Sequence, residues 1–320
     1  MNRRRVAHPM SEPLAFLFPG QGSQTVGMGK DLCNRFPIAR QIFNEADAGL
    51  GFALSELCFN GPLEELTLTA NTQPALLTVS YALARVLREE LGMQPRWAAG
   101  HSLGEFSALV AAGALRFADA LHVVRERGLA MQEAVPPGVG SMAAILGLEP
   151  IDVDDVCRIA ADGQVVSAAN LNGAGQVVIA GDREAVDRAS ALAKARGAKR
   201  VVPLTVSAPF HCALMRSAAE RLERVLASIP VTPLQFPVIT NVEATPCTDA
   251  DRVKALLVRQ VVSPVRWQES VQELARLGCT TAVEVGPGRV LSGLVRRIAP
   301  QIQCTPAEDV TALRDVAGAA

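Results

Sequence analysis

The chain has 320 residues, room for one large domain or two linked ones, and 49% are hydrophobic against 20% charged. That much apolar material buries a sizeable core and excludes a disordered chain. A formal charge of −1 offers no field for nucleic acid or an anionic membrane, and 4% aromatics excludes base-stacking platforms.

Residues 1–12 open on Arg3-Arg4-Arg5 with no apolar stretch behind them, so they read as a flexible tail and not a secretion signal. Leu14–Phe18 (LAFLF) is a buried strand ended by Pro19 and Gly20. A helix is expected over 74–91, with Thr72 or Gln73 as cap, Pro74 in its first turn and Gly92 beyond its end. Residues 97–99 make a short strand, followed by Gly100-His101-Ser102-Leu103-Gly104 and a helix over 105–112. A different pattern follows Pro136-Pro137-Gly138: strand 142–148, helix 151–161, strands 165–171 and 176–180, helix 183–196 and strand 199–205. That βαββαβ order matches a ferredoxin-like unit, set as an insert at 138–205 in a larger α/β domain formed by 13–137 and 206–320. The larger domain resumes with strand 238–240, helices 251–260 and 264–277, strand 281–285 and helix 290–298. The expected fold class is α/β: a hydrolase-like core with a parallel sheet plus the insert.

Gly100 to Gly104 fits G-x-S-x-G, the turn that lifts a serine nucleophile off the end of a strand onto a helix N-terminus. Ser102 is the candidate nucleophile, and it needs a base. The chain has four histidines, at 8, 101, 122 and 211. His8 falls in the tail, His122 on a helix, and His101 turns away from its neighbour Ser102. That leaves His211, on the loop after the insert. No acidic residue stands out to orient it, so the pair reads as a Ser–His dyad. The Gly-rich loop at 18–24 (FPGQGSQ) fails both phosphate-loop patterns, and its N–H groups suit an oxyanion hole beside Ser102. Arg127 lies late on a helix. Facing the cleft it would bind a carboxylate in a bidentate pair, facing away it is a solvated cation, and periodicity does not choose.

Seven cysteines stand at 33, 58, 157, 212, 247, 279 and 304 with no C-x-x-C pair, which argues against a zinc site and a disulfide framework. Free thiols suit a reducing compartment, so a cytoplasmic location is expected. No apolar run reaches the roughly 18–20 residues that span a bilayer.

Five segments together resemble the malonyl-CoA:acyl carrier protein transacylases: FPGQGSQTVGMG at 18–29, GHSLGE at 100–105, RGLAMQ at 127–132, APFHCALM at 208–215 and VEVGPGRVLSGL at 283–294. The resemblance implies that Ser102 is the acylated serine and His211 its base. Gln21 and Leu103 would supply the oxyanion-hole N–H groups, and the Gln260 main-chain carbonyl would orient His211. Arg127 would pair with the malonyl carboxylate, and Asn170 and Asn172 would be polar cleft residues. Phe210 directly precedes the base and would wall the acyl site, which goes with malonyl preference in the family. The implied partners are malonyl-CoA and acyl carrier protein, with no nucleic acid and no membrane. No metal or redox cofactor is implied, since the phosphopantetheine belongs to the carrier. The same site chemistry also serves polyketide synthesis and malonate decarboxylation. A serine esterase shares the elbow but gives no reason for Arg127, and a non-catalytic carrier-binding scaffold gives none for the Ser102/His211 pair.

Overall fold

The computed structural model describes residues 13–319, so the expected tail at 1–12 lies outside the described residues. The chain forms a mixed α/β structure around two sheets. The larger takes β1 (Leu14–Phe18) and β2 (Trp97–Gly100) from the first part of the chain. The smaller takes β3 (Gly140–Leu146), β4 (Val166–Gly173), β5 (Gln176–Asp182) and β6 (Arg200–Leu204). The chain then returns to the larger sheet with β7 (Val238–Ile239), β8 (Pro246–Cys247), β9 (Thr281–Val285) and β10 (Gln303–Ala307). Strand order is β10-β9-β1-β2-β7-β8 in the large sheet and β4-β5-β3-β6 in the small one. The large sheet is parallel except for the β7–β8 pair. The small sheet is antiparallel throughout.

Every residue of β1 is buried, because helices cover both faces of the parallel sheet. Alternation divides the strand. Leu14, Phe16 and Phe18 join the core under helix Thr69–Glu89, and Ala15 and Leu17 join the one holding Trp97 and Trp267. Phe16 and Phe18 are fully buried, each contributing about 1.5–3 kcal/mol. In the small unit, helices Pro150–Ala160 and Arg183–Ala195 pack on one face of the sheet. The opposite face, with Met142, Ala144, Ala169, Val178 and Ala180, closes over Cys212 on the His211 loop.

Most expected elements occur with ends shifted by one or two residues, and two helices start further from their sequence-based positions. The helix expected over 74–91 runs from Thr69 to Glu89 and holds Pro74 inside it. Side chains secure the extra turn: Thr72 Oγ1 donates to Leu66 O and Gln132 Oε1 accepts from the Ala70 N–H. The helix expected over 264–277 begins only at Trp267. Its first residues are taken by a parallel bridge, in which Val265 N–H donates to Ala169 O and Leu171 N–H to Val265 O. That strap ties the small sheet to the large unit beside the site.

Candidate active site

Ser102 sits at the C-terminal end of β2, where the chain turns sharply into helix Leu103–Ala111. The turn is possible because three glycines leave no room for a side chain. A Cβ on Gly100 would lie 1.9 Å from Gly104 C, one on Gly104 2.0 Å from Phe18 O, and one on Gly20 2.5 Å from His101 O. Ser102 itself is held at φ 52°, ψ −107°, and His211 at φ 60°. Each such left-handed conformation costs about 1–3 kcal/mol, and strain of this kind concentrates at reacting groups. Asn241, just beyond β7, braces the turn. Its Oδ1 accepts the Ser102 N–H at 2.8 Å and its Nδ2 donates to Gly100 O at 2.6 Å.

His211 Nε2 lies 2.7 Å from Ser102 Oγ, and Nδ1 lies 2.9 Å from Gln260 O. A carbonyl only accepts, so Nδ1 carries the proton and Nε2 is free to take one from the serine hydroxyl. Gln260 is in the last turn of helix Ala250–Val261, where carbonyls lack helical partners and can accept from a side chain. This backbone oxygen takes the place of an orienting carboxylate. Burial, with the nearby Arg127 charge, pushes His211 from 6.5 down to about 3. The imidazole is therefore neutral, as a base must be, far into the acid range. The acid limb of the acylation rate is expected below about pH 5. A limb near the free-imidazole value of 6.5 in a pH–rate profile would contradict this. Stability follows the same sign: between about 3 and 6.5 the unfolded chain binds the extra proton, so stability falls as pH falls through that window.

Arg127 points inward to the nucleophile. Gly128 beside it lets helix Phe117–Glu133 approach helix Thr69–Glu89 so closely that a Cβ would lie 2.7 Å from Ala70 Cα. Arg127 is 2% exposed, and its guanidinium lies over the Phe106 ring at 5.4 Å. Nη1 donates to Gln73 Oε1 at 2.8 Å, and Nη2 to Gln260 Oε1 at 2.9 Å and Ser102 Oγ at 3.2 Å. Nε is buried without a partner. Burial lowers Arg127 to about 10, so it stays charged at neutral pH. A buried cation with a spare donor, touching the nucleophile, is suited to an acyl group that ends in a carboxylate.

The remaining expected residues divide. Leu103 is the first residue of its helix and its N–H has no acceptor among the described residues. The Gln21 N–H has none either. Both are thus available for a developing oxyanion. The Gln21 side chain donates to Thr69 Oγ1 at 3.1 Å, which meets Ser207 Oγ at 2.8 Å, linking the Gly-rich loop to the His211 loop. Asn172 is buried but engages His101 Nε2 at 2.9 Å rather than the reacting pair, and His101 also packs against Trp267. Asn170 is buried where β4 meets Val265. Phe210 is half-buried against both the large core and the inner face of the small sheet.

Three further residues belong to the site: Gln73, Asn241 and Glu105. Glu105 is 1% exposed. Its Oε2 accepts from Gln260 Nε2 at 2.7 Å and from the Asn241 N–H at 3.1 Å. Burial pushes Glu105 up to about 7 against these hydrogen bonds and the Arg127 charge. Among the described residues no three His, Cys, Asp or Glu side chains converge as a metal set, and no helix is long and apolar enough to cross a membrane.

The acyl transferase domain family matches residues 15–314. The malonyl CoA-acyl carrier protein transacylase of Escherichia coli K12 is 51% identical over 299 residues, 93% of this chain and 97% of that protein. The Bacillus subtilis 168 protein of the same name is 50% identical over 297 residues, 92% of this chain and 93% of that one. Among solved structures, an acyl carrier protein S-malonyltransferase from Vibrio cholerae superposes with a TM-score of 0.93 at 48% identity, covering 95% of this chain and 100% of that one. A malonyl-transacylase in complex with its type II PKS acyl-carrier protein superposes at 0.94 with 47% identity, covering 97% and 100%.

Proposed function

The chain belongs to the acyl transferase domain family, and on that premise we propose that it is a malonyl-CoA:acyl carrier protein transacylase supplying fatty acid synthesis, working by ping-pong transfer through a malonyl-serine. Ser102 Oγ attacks the thioester carbonyl while its proton passes to His211 Nε2. The tetrahedral oxyanion is held by the N–H groups of Gln21 and Leu103 and by the positive end of helix Leu103–Ala111. The C–S bond breaks and the CoA sulfur leaves with the proton from His211. The carrier's phosphopantetheine thiol then gives its proton to His211 and attacks the ester carbonyl, and Ser102 departs with that proton from His211. No metal or redox group is needed, because no electrons change hands and His211 returns each proton it takes.

The observation that carries the malonyl reading is the buried Arg127 guanidinium, 3.2 Å from Ser102 Oγ. A carboxylate one carbon beyond the thioester carbonyl can reach it, and acetyl would leave the buried charge unpaired. Phe210, beside the base, narrows the space at the malonyl α-carbon. Arg127→Ala is expected to lose malonyl transfer while keeping acetyl transfer, reversing selectivity by about 10²-fold or more in line with a charged hydrogen-bonded pair. Competition between malonyl-CoA and acetyl-CoA, scored as kcat/KM ratios, checks it. An unchanged ratio would place the carboxylate partner elsewhere. An esterase reading leaves Arg127 without a task.

The likeness to the PKS carrier complex supports polyketide supply as a second reading, separable by comparing carrier proteins from the two pathways as acceptors. We read residues 13–137 and 206–320 as a hydrolase-like core, supported by the nucleophile at the C-terminal end of a parallel strand. We read 138–205 as a ferredoxin-like insert, supported by the βαββαβ order and the β4-β5-β3-β6 sheet. Asn170 and Asn172 then serve the cleft from the insert side, Asn172 by holding His101. Seven free thiols among the described residues, six of them buried, suit the cytoplasm.

A further inference from the structure

Two carboxylates are buried among the described residues, Glu105 and Glu284. Glu284 accepts from the N–H groups of Leu291 and Ser292 at the start of helix Val290–Ile298 and has a structural task. Glu105 lies in the first turn of helix Leu103–Ala111, which follows directly on the nucleophile. It touches no atom that reacts. Its Oε2 instead takes the shortest hydrogen bond made by the Gln260 amide, 2.7 Å, against 3.0 Å to Ser102 O and 3.2 Å to Asn241 Oδ1.

The orientation of that amide matters. With its nitrogen toward Glu105, the Gln260 oxygen faces Arg127 Nη2 at 2.9 Å. Turned over, the NH₂ group would meet the guanidinium donor to donor, and the oxygen would meet the carboxylate. We propose that Glu105 is a positioning residue for acyl selectivity, locking the Gln260 amide so that Arg127 is preset for the carboxylate of the incoming acyl group. The inference rests on the reading of Arg127 as the carboxylate partner. It separates two tasks within one residue. The Gln260 main-chain oxygen orients His211 and serves every acyl group, while the Gln260 side chain, set by Glu105, serves only acyl groups that carry a negative charge.

The test compares kcat/KM for malonyl-CoA and acetyl-CoA in Glu105→Ala, Glu105→Asp, Gln260→Leu, the Glu105→Ala/Gln260→Leu double variant and Arg127→Ala. Glu105→Ala is expected to lower the malonyl-to-acetyl ratio about tenfold, the worth of one hydrogen bond to a charged group. Glu105→Asp keeps the carboxyl group but withdraws it by one methylene, and lowers the ratio too. It carries the test if the alanine variant does not fold. Because Glu105 acts through Gln260, the double variant is expected to show no further fall in the ratio beyond Gln260→Leu alone. An unchanged ratio in the Glu105 variants, a parallel fall for both substrates, or additive effects in the double variant would overturn the inference. If Arg127→Ala itself leaves the ratio unchanged, the reading of Arg127 fails. If Arg127→Ala shifts the ratio and the Glu105 variants do not, Glu105 alone is misassigned.

Discussion

Ser102→Ala is expected to abolish covalent acylation and to lower transfer by about 10⁶-fold, the scale on which removal of a serine nucleophile acts. The wild-type protein mixed with malonyl-CoA should gain a single malonyl group by intact mass, and the variant none. The loss will not come from unfolding. Alanine meets the same strain at φ 52° that serine does, and the bracing bonds from Asn241 use only the backbone of the turn. Cys212 is no substitute nucleophile. It is buried, its Sγ donates to Pro209 O, and burial pushes it up to about 11, so the thiolate is absent at neutral pH. An acyl group mapped to Cys212 in the wild-type protein would sink the assignment of Ser102.

His211→Ala should slow both half-reactions, by about 10²–10⁴-fold each, because the same nitrogen takes a proton in one direction and returns it in the other. Single-turnover acylation by malonyl-CoA and single-turnover transfer to the carrier, measured separately, check this. A variant that acylates at the wild-type rate would exclude His211 as the base. Some loss of stability is expected as well. The substitution removes the Nδ1–H bond to the Gln260 carbonyl, which keeps the Ser263 N–H at 3.3 Å, and one such hydrogen bond is worth about 0.5–1.5 kcal/mol. A melting curve therefore belongs beside the kinetics, so that a fall in folded fraction is not read as lost chemistry.

The local turns were legible in the residues themselves. Strand Thr281–Val285 and helix Val290–Ile298 occur with the expected bounds, since Gly286-Pro287-Gly288 separates a strand pattern from a helix pattern without help from distant residues. The elbow was legible for the same reason: Gly100 and Gly104 mark a turn too tight for any side chain. The short helices Lys30–Arg35, Leu54–Asn60 and Leu63–Thr67 carry too few turns for an apolar stripe to stand out. Helix Pro37–Leu50, with Ala39, Ile42, Phe43 and Ala46 buried at helical spacing, is long enough to read and is absent from the expected elements, as are helices Arg216–Ala227 and Val310–Ala319 and strand β10. In β10, QCTPA includes a proline and no alternation, and pairing with β9 makes it a strand.

At the site the division follows reach. Ser102 is identifiable because its reactivity depends on four neighbours in sequence, and His211 because a chain with four histidines leaves few choices. The facing of Arg127 was open, since a late helical arginine fits solvent as well as a cleft. Close packing at Gly128 against Ala70, 58 positions away in sequence, decided it. Glu105 begins the helix expected over 105–112, and nothing beside it in sequence marks a task for it. Its partners come from Asn241 and Gln260, 136 and 155 positions along the chain. Hydrogen bonds over such separations leave no period or spacing to read. The local chemistry of each reacting side chain is written in its near neighbours. Which buried groups hold those side chains depends on burial and pairing among strands and helices that meet after the whole chain has folded.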